Sequence, residues 1–146
     1  MQGMAEGSAD IIDWAHFEKA RGELGPGFIR ILSYFREDGV KSVAAIEQAM
    51  RERDSAKLVL PSHTLKGESW QFGAERLAAL AEEIEVAARD YVEIRQGPEE
   101  LVEKVVQLRP LFEATLTALE AEASPLVERR GQYGSRTFSQ TQFGRL

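Results

Sequence analysis

The sequence predicts an all-α fold, an antiparallel up-and-down four-helix bundle with an additional short N-terminal helix. Apolar residues recur at a spacing of about 3.6 over four long segments, as in amphipathic helices that bury one face. Short turns containing Gly and Pro separate these segments, and short connections favour antiparallel neighbours. No stretch shows the sustained alternation of apolar and polar residues that a half-buried strand requires, so no strands are predicted.

The first two helices are delimited by capping and turn residues. Asp13 is a suitable N-cap for a short helix that runs to about Glu23 and is expected to lie as a lid across one end of the bundle. Gly25-Pro26 ends this helix and opens the next, because proline is tolerated in a first helical turn. The second helix extends to Met50, and Gly39 inside its pattern predicts a bend or a short break.

The third and fourth helices are also delimited by capping and turn residues. Arg53-Asp54-Ser55 is predicted to end the second helix and to supply the N-cap of the third. Pro61 removes one backbone donor early in the third helix, which predicts a kink or a late start of its regular part. Gly73 is predicted to close that helix in a left-handed conformation, and the fourth helix runs from about Glu75 to Ile94.

A fifth helix completes the bundle and defines the domain organisation. Gly97-Pro98, like Gly25-Pro26, is predicted to end one helix and begin the next, which runs to about Ala123. We therefore expect one helical domain over residues 11–123, preceded by a flexible N-terminus over residues 1–10. Residues 124–146 are rich in Gly, Arg, Gln, Ser and Thr with spaced aromatic residues, and they are predicted to be either flexible or docked on the bundle.

Composition excludes several classes of function. The chain has 146 residues, a net charge of −6, no cysteine and two histidines. Acidity argues against a nucleic-acid partner, and the lack of thiols excludes disulfide frameworks and thiolate metal sites. No apolar run reaches the length of about 18 residues that suggests a membrane span, and the N-terminus does not resemble a signal peptide. A bacterial, cytoplasmic and monomeric protein is the expectation, without a cofactor or metal of its own.

One helical face in the third helix collects side chains suited to chemistry. His63, Lys66, Gly67 and Trp70 are three, four and seven residues apart, so they line one side of a helix. Near neutral pH much of an imidazole is uncharged and nucleophilic, and histidine is an established covalent carrier of phosphoryl groups. Lys66 could neutralise phosphoryl oxygens, and Gly67 leaves room for another molecule. A lone helical histidine more often has no chemical role, which is the interpretation adopted for His16.

The same residues carry a resemblance to a known family. His63-Thr64-Leu65-Lys66-Gly67, followed by Phe72-Gly73 and Leu77, resembles the signature of histidine-containing phosphotransfer (HPt) domains of two-component phosphorelays. Leu24-Gly25 and Phe35 match further positions that are typical of the family, and the resemblance covers residues 12–119.

The resemblance implies a role for each residue at the site. His63 would be phosphorylated on Nε2, and Glu85 would accept a hydrogen bond from the other ring nitrogen. Lys66 would contact the phosphoryl group, and Gly67 would give the partner access. The alternatives are a solvated carboxylate for Glu85 and an ordinary exposed helix lysine for Lys66.

A docking surface for the partner is expected around His63. Trp70 is either a docking anchor or packed against the first helix, and Glu68 is expected to point to the flank, where Arg76 could pair with it. The residues predicted for the docking surface are Val59, Thr64, Gly67, Ser69, Trp70 and Gln71.

The resemblance, together with the residues at the site, implies a stand-alone histidine phosphotransfer protein. It would accept a phosphoryl group from a receiver-domain aspartate of a hybrid histidine kinase onto His63 and pass it to the receiver of a response regulator. The receiver would supply the divalent metal, and this chain, without a phosphate-binding glycine loop, would have no ATP-dependent kinase activity. The alternative is a non-phosphorylated scaffold or inhibitor that binds receivers. A phosphohistidine phosphatase would need a second cluster of catalytic residues, which the sequence lacks.

Overall fold

The computed structural model describes residues 11–123, and they form an all-α fold. Two 3-10 turns, Gly25–Gly27 and Glu99–Leu101, precede the second and the last long helix. No strand occurs among the described residues, which confirms the predicted fold class. The α-helices are α1 (Trp14–Leu24), α2 (Phe28–Arg51), α3 (Ala56–Gln71), α4 (Glu75–Glu93) and α5 (Val102–Ala123).

The four long helices pack as antiparallel neighbours. Two ion pairs join α2 to α5: Arg36 binds Glu120 at 2.8 Å, and Arg109 binds Glu47 at 2.8 Å. Since the later α2 residue pairs with the earlier α5 residue, the two helices run in opposite directions. Both pairs are at least partly exposed, so they contribute little to stability and mainly fix the register between the helices.

A column of phenylalanine rings forms the core at the α1 end of the bundle. The rings of Phe17 and Phe28 meet edge to face with centroids 5.4 Å apart, and Phe28 meets Phe72 in the same way at 5.6 Å. Phe35 continues the column between Phe72 and Phe112. All five side chains are buried, and edge-to-face contacts of this kind add about 0.5–1.5 kcal/mol per pair beyond the burial of their area.

The short helix α1 is fastened to the turn between α3 and α4. The Asp13 carboxylate caps α1 by accepting from the backbone N–H groups of Ala15 and His16, as predicted. The Asp13 backbone N–H in turn donates to the Gly73 carbonyl oxygen at 2.8 Å. Gly73 has φ +78°, the left-handed conformation predicted for it, and a Cβ there would lie 2.7 Å from the Asp13 carbonyl oxygen. Glycine at this position therefore lets α1 approach the end of α3.

Gly39 does not interrupt α2, so the predicted break at this residue is wrong, and the alternative of a bend stays a prediction. The helix is continuous from Phe28 to Arg51, and Gly39 is buried. A Cβ on Gly39 would lie inside the contact distance of the Phe112 ring. The missing side chain thus makes room for an aromatic ring of α5.

Two parts of the predicted domain organisation lie outside the described residues. These are the N-terminal segment 1–10 and the C-terminal segment 124–146 with its aromatic residues, so their predicted behaviour remains a prediction. Within residues 11–123, none of the helices is both long enough and apolar enough to cross a membrane.

We predict opposite effects on stability for alanine at two helical glycines. Gly39→Ala should lower the free energy of unfolding by about 1–3 kcal/mol, because overpacking against Phe112 outweighs the better helix propensity of alanine. Gly67→Ala is the matched control: a Cβ at this exposed position meets no atom within 4 Å, so it should stabilise by up to about 1 kcal/mol. Urea unfolding of both variants measures the difference, and equal gains would contradict the packing role of Gly39.

Candidate functional site

Helix α3 buries one side and presents His63 on the other. Leu58, Leu65 and Ser69 are completely buried on its inner side. The His63 side chain lies on the opposite side and is 56% exposed. Packing of the inner side of α3 in the core therefore fixes the position of the His63 backbone, while the imidazole remains at the surface.

A buried carboxylate on α4 lies beside the imidazole. The Glu85 side chain is only 5% exposed, and its Oε2 is 3.0 Å from His63 Nδ1. Glu85 occupies a core-facing turn of α4 between Ile84 and Ala88, so packing fixes its position. The alternative of a solvated carboxylate is wrong, since Glu85 is buried and contacts the ring nitrogen that the resemblance implied.

Two cations bind the same carboxylate. Lys66 Nζ forms an ion pair with Glu85 Oε1 at 2.9 Å. Arg89, one turn after Glu85 on α4, places Nη2 at 2.8 Å and Nε at 3.1 Å from Oε2. Burial alone would raise the pKa of Glu85, but the hydrogen bonds from Lys66, Arg89 and His63 outweigh it and lower the pKa to about 2. Glu85 is therefore ionised at any physiological pH.

The ionised carboxylate determines which ring nitrogen carries the proton. A carboxylate can only accept hydrogen bonds, so a neutral His63 in contact with Glu85 must be protonated on Nδ1. The lone pair of the neutral ring is then on Nε2, the nitrogen away from Glu85. Glu85 can thus orient the imidazole and leave the proton on Nδ1, so that Nε2 is the nucleophilic atom. Hydrogen bonds to histidine commonly fix the ring in this way.

The remaining predicted site residues lie at or near the surface of α3, with one exception. Gly67 and Gln71 are exposed, and Val59 and Thr64 are partly buried. Space around Gly67 is open, since a Cβ there would meet no atom within 4 Å. Leu60, one turn before His63 on the same side of α3, is also largely exposed and was not predicted.

Trp70 combines the two positions that were considered for it. Its ring meets the His16 ring of α1 edge to face, with centroids 5.9 Å apart. It nevertheless remains about half exposed on the side of α3 that carries His63. The residue thus packs on the lead helix with one edge and leaves the rest of its indole accessible.

Ser69 corrects one prediction for the docking surface. Its side chain is completely buried, so no partner molecule can contact it on the surface. The spacing of Ser69 from Leu65 already indicated the inner side of α3, so its inclusion in the docking surface went against a signal in the sequence. On the helix it lies four residues after Leu65, on the side that packs inward.

The flank of α3 toward α2 differs from the prediction for Glu68. No salt bridge joins Glu68 to Arg76 among the described residues, and Glu68 instead faces Asp38 of α2. Partial burial and the adjacent Asp38 carboxyl raise the pKa of Glu68 to about 7. One of its oxygens, Oε1, is fully buried. Near neutral pH Glu68 can therefore carry a proton, which relieves its repulsion with Asp38.

Arg89 belongs to the group of side chains around Glu85 and was missed by sequence reasoning. The signal was present, because a glutamate followed four residues later by an arginine forms an ion pair on a helix surface. Arg89 also lines a shallow cleft of about 400 Å³ between α3 and α4, adjacent to the site. The cleft is lined by Ala56, Val59, Arg89, Asp90, Val92 and Glu93. In residues 11–123 no group of three or more His, Cys, Asp or Glu side chains is arranged to hold a metal ion.

We predict that Glu68→Gln stabilises the protein at alkaline pH. Because the pKa of Glu68 is raised in the folded state, its protonated form favours folding below the unfolded value near 4.5, and that stability is lost as the pH rises through about 7. Glutamine mimics the protonated carboxyl, so the variant should gain roughly 1 kcal/mol at pH 8 and little at pH 5, since partial exposure screens the full effect.

Thermal unfolding at both pH values measures this gain, with Glu37→Gln on the exposed side of α2 as the control. An equal change at the two pH values for Glu68→Gln would contradict the raised pKa of Glu68.

Comparison with known proteins assigns the chain to a family. A family model described as Hpt domain matches residues 30–122, a range that contains α3, α4 and every residue of the site. Searches among curated proteins and among solved structures gave no significant match. The match covers more than half of the chain. The protein therefore belongs to the Hpt domain family, the histidine phosphotransfer domains of two-component signalling.

Proposed function

We propose that this protein is a stand-alone phosphocarrier that accepts a phosphoryl group on His63 Nε2 from the aspartyl phosphate of one receiver domain and passes it to an aspartate of another. Membership of the Hpt domain family supports the class of reaction. The observation that carries the residue assignment is the 3.0 Å contact of Nδ1 with a buried, ionised carboxylate beside a half-exposed ring. This contact directs the free lone pair to Nε2.

The forward step moves one phosphoryl group between two nucleophiles. The Nε2 lone pair attacks phosphorus, the Nε2–P bond forms, and the P–O bond to the aspartate breaks as the carboxylate leaves. Positive charge develops on the ring, and the Glu85 carboxylate stabilises it through the Nδ1–H hydrogen bond. The second transfer reverses these bonds on the next receiver, so the protein returns to its starting state.

Lys66 and Gly67 serve the incoming phosphoryl group. Lys66 is 30% exposed and can turn from Glu85 Oε1 to a phosphoryl oxygen one helical turn from the ring. Open space at Gly67 lets the receiver approach the helix backbone. Catalysis by such a site consists of in-line positioning and charge stabilisation, as is general for phosphoryl transfer.

The partners follow from the chemistry of the transfer. They are receiver domains of hybrid histidine kinases and of response regulators, which would bind the surface formed by Val59, Thr64, Gly67, Trp70 and Gln71. The divalent metal belongs to the receiver in this proposal, so the carrier holds none and does not use ATP. We place the protein in the bacterial cytoplasm as a monomer.

We predict that His63→Gln abolishes phosphoryl uptake and leaves the bundle folded. The side chain of His63 is half exposed, so its replacement removes the nucleophile without disturbing the core. Incubation with a receiver labelled on its aspartate, followed by detection of acid-labile label, measures uptake. His16→Gln is the control and should take up label like the unaltered protein.

Three outcomes of this incubation separate the candidate functions. Label that moves to His63 supports the carrier, and label that stays on a bound receiver supports a scaffold or inhibitor. Label released as free phosphate by the unaltered protein, but not by His63→Gln, supports a phosphatase. Retention of acid-labile label by His63→Gln would refute the assignment of His63.

We predict that Lys66→Ala slows transfer roughly tenfold or more without unfolding the protein, because a lost charge-assisted contact to the transferring group costs about 1.5–3 kcal/mol. Lys104→Ala removes a lysine from a more exposed ion pair with Glu83 of α4 and serves as the control for loss of a lysine away from the site. Rapid-quench measurement of transfer from a labelled receiver gives both rates. Equal rates for the two variants would remove Lys66 from the site.

A further inference from the structure

One oxygen of Glu85 receives more hydrogen-bond donors than its lone pairs can serve fully. Oε2 is contacted by His63 Nδ1 at 3.0 Å, by Arg89 Nη2 at 2.8 Å and by Arg89 Nε at 3.1 Å. A carboxylate oxygen has two lone pairs, so the arginine competes with the imidazole for them. Arg89 therefore weakens the hydrogen bond that Glu85 accepts from His63 Nδ1–H.

This competition matters because a carboxylate beside a nucleophilic histidine has two opposite effects on its reactivity. It orients the ring, but its negative charge also favours the protonated imidazolium, which has no lone pair left on Nε2. A cation on the same oxygen offsets that charge. The nucleophile stays available only if orientation is retained while the electrostatic pull is reduced.

We propose that Arg89 is a positioning residue that partly neutralises Glu85, so that Glu85 orients His63 without holding it in the protonated, non-nucleophilic state. The inference deepens the proposed function and rests on it for the transfer step. Arg89 acts through Glu85 and does not itself contact the phosphoryl group.

Lys66 does not replace Arg89 in this role. Lys66 binds Oε1, whereas the imidazole and Arg89 both contact Oε2. When Lys66 turns to a phosphoryl group, Arg89 is the cation that remains on Glu85. The glutamate then bears less uncompensated charge beside the two negative charges of the phosphoryl group.

No other charged group of residues 11–123 makes a hydrogen bond or ion pair with His63 or with Glu85 Oε2. On α3 itself, Lys66 is the charged residue on the His63 side, and Glu68 lies on the opposite flank against Asp38 of α2. From α4, the described contacts to His63 and to its partner come from Glu85 and Arg89. From α1, His16 meets the ring of Trp70.

The proposal predicts a change in pH dependence and not a simple loss of activity. In Arg89→Ala the His63 ring signals should titrate about 0.5–1 pH unit higher than in the unaltered protein, since the neighbouring carboxylate is left less compensated. Uptake of phosphoryl groups should be roughly three- to tenfold slower below the titration midpoint. Above it the rates should converge, because the ring is then neutral in both proteins.

The experiment uses NMR titration of the His63 ring and phosphorylation by phosphoramidate across pH 5.5–9, which needs no receiver. In that reaction the Nε2–P bond forms, and the P–N bond of the donor breaks with release of ammonia. Arg89→Lys should restore much of the normal profile. Arg36→Ala is the matched control, since Arg36 is 53% exposed against 57% for Arg89 and makes a similar ion pair with Glu120 on another face.

A double variant tests whether Arg89 acts through Glu85. Glutamine in Glu85→Gln can still accept the Nδ1–H hydrogen bond but carries no charge, so adding Arg89→Ala in this background should not move the titration or the pH profile further. An equal loss of rate at all pH values in both backgrounds would show direct contact of Arg89 with the phosphoryl group and overturn the proposal. An unshifted ring titration in Arg89→Ala would also overturn it.

The two readouts keep this proposal separate from the proposed function. If the unaltered protein takes up no phosphoryl group but Arg89→Ala shifts the ring titration, the carrier function fails and the coupling of Arg89 to His63 through Glu85 stands. If uptake occurs with an unshifted titration, the carrier function stands and the role of Arg89 fails.

Discussion

The site depends on a buried carboxylate that three nitrogen-bearing side chains keep ionised. Removing a carboxylate from water is unfavourable unless hydrogen bonds and opposite charges compensate for the lost hydration. Glu85 meets that condition with Lys66 and His63 from α3 and Arg89 from α4. The same contacts join the two helices, orient the imidazole and define its free nitrogen. Loss of any one partner would therefore change the charge balance of the whole group.

The rest of the fold keeps this group rigid. The side chains on the inner side of α3, opposite His63, are buried in the core. Helix α4 holds Glu85 between core residues. The turn at Gly73 fixes the end of α3 by binding the start of α1. The phenylalanine column beside that turn packs α1, α2, α3 and α5 together. A carrier that must present one nitrogen in line with a partner aspartate benefits from such rigidity, because small displacements are costly in phosphoryl transfer.

Much of this arrangement could be predicted from the sequence, because it is local. Helical periodicity, the Asp13 cap and the left-handed Gly73 depend on residues close in the chain, and the strip around His63 depends on spacing within one helix. The rest depends on how helices rotate against each other. Glu68 meets Asp38 in place of Arg76, and Gly39 accommodates an aromatic ring of α5. Spacing indicates that two residues share a face, but it does not tell which neighbour that face meets.

The central claim is that Glu85 holds the proton of neutral His63 on Nδ1 and leaves Nε2 free. Long-range ¹H–¹⁵N correlation spectra of the histidine rings, recorded above the titration midpoint of His63, distinguish the two neutral tautomers directly. The account predicts that the Nδ1–H tautomer predominates in the unaltered protein and that its excess is lost in Glu85→Ala. A predominant Nε2–H tautomer in the unaltered protein would contradict it, since Nε2 would then have no lone pair to receive a phosphoryl group.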